Sequence, residues 1–268
     1  MRFCVLGGGS KGNATFVEAG ATRILIDAGF SGKEVERRLV AIGIDPASLH
    51  AICITHEHLD HIRGAGVLSR RYQLPVLANR ATVAAANGLL DNLTEAVLFE
   101  TGTTVTFRDL QLHPFAISHD AADPVGFLCR ANGLTLGYCT DTGIASRLIG
   151  HRLSGCHGLV LECNHDPEML ANGPYPPALK QRVRGKSGHL ANAEAADLLR
   201  RLLHDQLRHV VLSHLSETNN TPGLARAAVA AMLTAAAAEE GAPVPQVSLA
   251  RQDEPGEVVI LREGAWNR

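Results

Sequence analysis

At 268 residues the chain suffices for one large domain or two small ones, and its 46% hydrophobic and 19% charged content is that of an ordinary globular protein. A formal net charge of −2 excludes a globally basic nucleic-acid binder while leaving room for a local basic patch. The six cysteines form no CxxC pair and lie mostly in apolar runs, so they read as buried reduced thiols of a cytoplasmic protein. The opening Met1–Leu6 run is too short for a signal-peptide core, and the alanine-rich stretch 227–238 is short for a membrane span. A soluble protein with no membrane partner is expected.

In chain order, residues 2–6 predict a strand, and Gly7–Gly12 then matches GxGxxG. A dinucleotide fingerprint requires a helix next. The following runs 14–18 and 23–27 instead predict a β-hairpin, which removes that reading. The glycines either make a tight turn or bring a loop close to a site, where Ser10 and Asn13 would offer polar contacts to a substrate. Asp27 closes a buried strand; it either orients a metal-bound histidine from behind or caps the helix expected over 31–42.

The apolar run Ala51–Ile54 predicts a short strand, and Thr55-His56-Glu57-His58-Leu59-Asp60-His61 follows it at the start of a helical pattern. His56 and His58, two apart in an extended turn, point the same way, whereas Asp60 and His61 reach a neighbouring position. Two pairs of ligands suggest two divalent metal ions rather than one closed structural site. A helix to about Tyr72, a strand at 75–78, a helix from Arg80 and short strands near 97–99, 103–107 and 110–112 come next. A further strand, 114–118, ends at His119-Asp120, and His119 becomes a good third ligand. The Asn132-Gly133 pair predicts a hairpin. It terminates in Asp141, either a carboxylate bridging two cations or the N-cap of a helix near Ile144.

A strand at 158–163 runs into Asn164-His165-Asp166, where His165 is either solvated or a substrate contact. Lys180, Arg182, Arg184 and Lys186 alternate along the chain, as a solvated basic face or as a line that tracks phosphates. His189 opens an amphipathic helix to about His204, His214 ends a strand at 209–212, and a helix from Thr221 and strands near 247–249 and 258–261 close the chain. Strand and helix alternate without a linker, which predicts one domain over 1–268 of mixed α/β class.

The order HxHxDH, His119, Asp141, His214 resembles the metallo-β-lactamase superfamily, and the resemblance covers nearly the whole chain. Within it, Ile24–Gly32, Ile117–Asp120 with Asp123–Gly126, Glu162–Asp166, Gly173–Pro176 and Gly188–Leu190 are similar to the YycJ/WalJ-type proteins, as is His214–Ser216 with Asn219-Asn220. The resemblance implies an αββα sandwich. It also implies that His56, His58 and His119 hold one metal, Asp60, His61 and His214 the other, and that Asp141 bridges. A 5′-to-3′ exonuclease, with DNA preferred over RNA as its nucleic-acid partner, is the activity implied. A parallel with the ribonuclease Z family suggests His189 as a substrate contact or proton donor, while the single hairpin between His119 and Asp141 leaves no room for a tRNA-gripping arm. Two metals would lower the pKa of a shared water so that hydroxide is available near neutrality, with Asp60 both ligating and orienting it. Zinc, manganese and iron(II) all suit the nitrogen and oxygen donors. Asn164 and Lys186 complete the expected substrate contacts. A hydrolase of thioesters, lactones or cyclic phosphodiesters is the alternative, since HxHxDH is shared with glyoxalase II-type enzymes.

Overall fold

Alternation decides the architecture. In β1 (Arg2–Gly7), Phe3 and Val5 face one way and Cys4 and Leu6 the other, and all four are buried. A strand apolar on both faces belongs in a sheet covered on both sides. The computed structural model describes residues 1–262 and has that form.

The first half of the chain supplies β2 (Ala14–Ala19), β3 (Thr22–Ile26), α1 (Gly32–Ala41), β4 (Ala51–Cys53), α2 (Leu59–Ile62), α3 (Ala65–Tyr72), β5 (Pro75–Asn79), α4 (Arg80–Ala85) and β6 (Glu95–Phe99). The second supplies β7 (Val105–Phe107), β8 (Leu110–Ala116), β9 (Val125–Ala131), β10 (Leu134–Cys139), α5 (Arg147–Leu153), β11 (Gly158–Glu162), α6 (Pro167–Asn172), α7 (Pro177–Val183), α8 (Asn192–Leu202), β12 (His209–Ser213), α9 (Pro222–Glu240) and β13 (Gln246–Leu249). The late strand β14 (Val259–Ile260) returns to pair with β1. The two sheets run β14-β1-β2-β3-β4-β5-β6 and β13-β12-β11-β10-β9-β8-β7. Each is antiparallel in one half and parallel in the other, changing over at β3 and at β10.

Three apolar layers follow. Phe3, Val17, Ile24 and Ile26 meet Leu112, Phe127, Leu136 and Val160 between the sheets. Cys4, Leu6, Phe16 and Leu25 pack outward under Val35, Leu39 and Leu68 of α1 and α3. Leu159, Leu161, Val210 and Leu212 pack under Leu198, Leu199 and Val229 of α8 and α9. Each such side chain contributes about 1.5–3 kcal/mol on burial. The result is the αββα sandwich that the resemblance implied.

Three local expectations differ from the structure. The helix after the histidine cluster is broken: Gly64 turns its N–H to the Ala28 carbonyl (2.8 Å), separating α2 from α3. Residues 110–116 form one strand, since Pro114 at that position does not interrupt the pairing with Phe127 of β9. Asp141 caps no helix, because α5 begins at Arg147 under the hydroxyl of Ser146.

Candidate metal centre

In open sheets, ligands gather beyond the carboxyl ends of strands where the strand order changes over. Asp27 follows β3, His56 to His61 follow β4, Asp141 follows β10, Glu162 ends β11 and His214 follows β12, so the two sheets deliver their polar strand ends to one edge. Asp27, Asp141 and His214 all adopt left-handed backbone (φ 61°, 59° and 58°), a costly conformation for residues with a Cβ. The strand ends are bent sharply to aim these three side chains.

His56, His58 and His119 form one group, with ring centroids 4.6, 4.9 and 5.1 Å apart, and the atoms they can offer a cation lie within 4.8 Å of one another. Asp60, His61 and His214 form a second group on the same criterion. Asp141 stands between them: Oδ2 is 3.4 Å from His61 Nε2, and Oδ1 is 3.2 Å from His214 Nε2 and 3.9 Å from His119 Nε2. The fit to metal ions rests on unpaired atoms. His56 Nε2, His214 Nε2 and Asp141 Oδ2 are buried and have no hydrogen-bond partner among the described residues, an expensive arrangement unless a cation satisfies them.

The rings are aimed from behind. Asp27, fully buried, accepts from the Thr55 N–H and hydroxyl (both 2.9 Å) and from His61 Nδ1 (2.8 Å). Glu162, also fully buried, accepts from His189 Nδ1 (2.8 Å) and His214 Nδ1 (3.1 Å) through one oxygen. Its other oxygen takes the N–H groups of Thr142 (2.9 Å) and Leu190 (3.2 Å). A carboxylate only accepts, so the Nδ1 atoms carry protons and Nε2 is the atom each ring turns to the cluster, where a metal ion would take the place of any Nε2 proton. Gly29 lets two loops close behind the cluster, since a Cβ there would sit 1.6 Å from the Asp60 carbonyl oxygen.

Burial, and then the neighbouring rings His61, His119 and His58, hold His56 well below the ordinary histidine value, so it stays neutral. Burial would lower His61 as well, but Asp141, Asp27 and Asp60 outweigh it and raise the ring to about 9. His214 is raised for the same reason, by Asp141, Asp60 and Glu162 against burial. Burial opposes ionisation of Glu162, yet His189 and His214 hold its carboxyl far below the usual range. The negative field that keeps protons on His61 and His214 is equally suited to attract divalent cations.

A cleft of about 260 Å³ opens onto these atoms, lined by Ser10, Asp60, His189 and the Tyr175–Val183 segment, among others. His189 and Ser10 are therefore on its wall. Asn13 is buried behind it, with Nδ2 3.2 Å from Asp60 Oδ2 and 3.0 Å from His61 Nε2. Asn164 is buried and donates to the His214 carbonyl (2.9 Å). His165 is buried against Ala191, and burial lowers it to about 4. Lys186 is exposed and off the wall, tied through its carbonyl to the Ser118 hydroxyl (2.8 Å). The alternating cations do not make a line, because 177–183 is helical and fans them apart: Arg182 reaches the cleft while Lys180 bonds the Ala171 carbonyl (2.7 Å). Glu162 escaped the sequence reading as a site residue, although it carries the signal that marked Asp141: a carboxylate closing an apolar strand.

The model of a β-lactamase superfamily domain matches residues 22–215. The chain is 38% identical over 235 residues to Exodeoxyribonuclease YycJ of Bacillus anthracis, covering 87% of this chain and 89% of the relative. It is 37% identical over 230 residues to Exodeoxyribonuclease WalJ of Streptococcus pneumoniae serotype 2, covering 84% and 85%. Among solved structures, the metallo-β-lactamase fold protein YhfI from Bacillus subtilis superposes with a TM-score of 0.73 at 16% identity, over 96% of this chain and 99% of that one. With its layers, its histidine and aspartate cluster and these likenesses, the chain belongs to the metallo-β-lactamase superfamily and, within it, to the family of the YycJ and WalJ exodeoxyribonucleases.

Proposed function

We propose that this protein is a dinuclear metal-dependent phosphodiesterase that removes nucleotides from the 5′ end of DNA. The observation that carries the reading is the convergence of two ligand groups on Asp141, with buried lone pairs left unpaired at their centre. The identity to two exodeoxyribonucleases supports nucleic acid as the substrate. On this reading His56, His58 and His119 would hold one ion and Asp60, His61 and His214 the other, with Asp141 as a ligand between the two groups. Bound zinc, manganese or iron(II) would lower the pKa of a water and offset charge on the phosphoryl group.

The remaining work falls to the chain. Asp60 at the cleft orients the attacking water by accepting its proton in a hydrogen bond. His189 donates its Nδ1–H in a hydrogen bond to Glu162, and that carboxylate supports a second proton on Nε2, which would be the one available to the departing 3′-oxygen. Asn13 and Asn164 act as positioning residues for Asp60, His61 and His214. The size of the cleft also admits a thioester, a lactone or a cyclic phosphodiester, which keeps a small-molecule hydrolase as the second reading.

The test is a substrate panel on metal-loaded protein with its metal content measured. About two transition-metal ions per chain and 5′-end degradation of phosphorylated duplex DNA are expected, with Asp60→Asn nearly inactive. Full activity in chelator would overturn the metal mechanism. Brisk thioester cleavage without nucleotide release would establish the second reading.

A further inference from the structure

One wall of the cleft is built unlike the rest of the molecule. The helix α7 buries no residue at all, whereas α1, α3 and α8 each bury an apolar stripe. Polar ties hold it instead. Arg182 Nε donates to Asp120 Oδ2 (2.5 Å), Lys180 Nζ bonds the Ala171 carbonyl, and the His189 N–H donates to the Val183 carbonyl (2.8 Å). Its last turn rests on bare backbone: a Cβ on Gly188 would lie 2.1 Å from the Val183 oxygen and 2.2 Å from that of Arg182. The Gly188 carbonyl in turn accepts from His119 Nδ1 (3.2 Å), so the segment that follows the helix ties it to a candidate metal ligand.

What this wall offers the cleft is an aromatic ring, Tyr175, two aliphatic side chains, Leu179 and Val183, and one cation, Arg182. A guanidinium has five N–H donors, and Asp120 takes the one at Nε; the side chain is 60% exposed. We infer that this wall is the receptor for the terminal nucleotide of the chain being degraded, with its base against the Tyr175 ring and its terminal phosphate on Arg182. The inference rests on the phosphodiesterase reading and adds the means by which an end is chosen over an internal bond. Asp120 supplies the discrimination. An internal phosphodiester carries one negative charge and merely equals the carboxylate that Arg182 already has. A terminal phosphomonoester carries −1.5 to −2 and three acceptor oxygens at pH 7, so it competes better for the fork. Base stacking on an aromatic ring is tolerant of sequence, as an enzyme that works inward from an end requires.

The experiment uses metal-loaded full-length protein and matched DNA duplexes bearing a 5′-phosphate or a 5′-hydroxyl. The unsubstituted protein is expected to show the lower KM on the 5′-phosphorylated duplex. Arg182→Ala should raise that KM roughly tenfold, leaving the 5′-hydroxyl duplex unchanged, with Arg182→Lys restoring part of the difference. Tyr175→Leu should raise KM on both duplexes roughly tenfold, and Tyr175→Phe should not. Unchanged melting temperatures exclude misfolding as the cause. If Arg182→Ala keeps the 5′-phosphate preference, or weakens both duplexes alike, the receptor assignment is wrong while the phosphodiesterase stands. If the unsubstituted protein hydrolyses no nucleic acid, both fall.

Discussion

Replacing Glu162 by glutamine tests whether the carboxylate behind the site directs the chemistry. The side chain is fully buried, and its two oxygens serve opposed pairs of donors: the His189 and His214 rings on Oε1, the Thr142 and Leu190 N–H groups on Oε2. Glutamine fills the same volume but owns one acceptor oxygen. Whichever way the amide is turned, its NH₂ faces either two ring N–H groups or two backbone ones. Each donor left unsatisfied costs about 1–3 kcal/mol. With the amide nitrogen toward the rings, His214 favours the other tautomer and loses the Nε2 lone pair, while His189 loses the acceptor that holds its Nδ1–H and supports a proton on Nε2. Loss of such outer support typically costs about 10–100-fold in metal affinity or activity, and loss of a positioned proton donor about 10²–10⁴-fold in rate. We expect kcat on DNA to fall at least about 100-fold, most of it surviving saturation with metal, because His189 is misdirected whether or not the ions are bound. Metal content by mass spectrometry and kcat at saturating metal separate the two contributions. A Glu162→Gln enzyme with unaltered kcat and metal stoichiometry would refute the assignment.

Asp27→Asn repeats the logic at the other buried carboxylate, whose left-handed backbone asparagine tolerates. An amide can satisfy the Thr55 N–H or the His61 ring but not both, so we expect about 2 kcal/mol of destabilisation and a Tm lower by roughly 4–8 °C in thermal melts. Glu34, bonded to Arg37 and Arg38, is lowered from 4.5 to about 2. A depressed carboxyl stabilises the fold fully above its unfolded value and loses that contribution as pH falls through the folded one. Stability should therefore decline between about pH 4.5 and 2, and Glu34→Gln should flatten that part of an acid-denaturation curve.

The layers and the ligand cluster were legible because each has a local signature. Two-sided apolar strands such as 2–6 and 23–27 can only be interior, and HxHxDH after such a strand puts its donors at a sheet end. His119, Asp141 and His214 were readable one at a time, as polar residues closing apolar runs. Glu162 has that same signature. What the sequence lacks is the knowledge that β11 lies between β10 and β12, and only that adjacency brings its carboxylate under both His189 and His214. Asn13 and Asn164 read in the sequence as substrate contacts, and the structure buries both behind the cleft, because a side chain's facing in a loop is set by what packs behind it.

The basic run 180–186 marks the limit of such reading. Alternate cations form one line only if the backbone is extended, and Pro176-Pro177 instead starts a helix, at the position where proline's fixed φ favours one. The helix sends Lys180 back to α6 and leaves Arg182, two residues on, as the one cation of the run that lines the cleft among the described residues. What looks in sequence like a diffuse phosphate track becomes one guanidinium, balanced by one carboxylate, on the wall of the cleft that the candidate metal ligands share. A diffuse track would bind any stretch of nucleic acid, with a steep salt dependence from many contacts. A single paired guanidinium cannot, and that difference is the ground on which the proposed receptor favours an end over a strand.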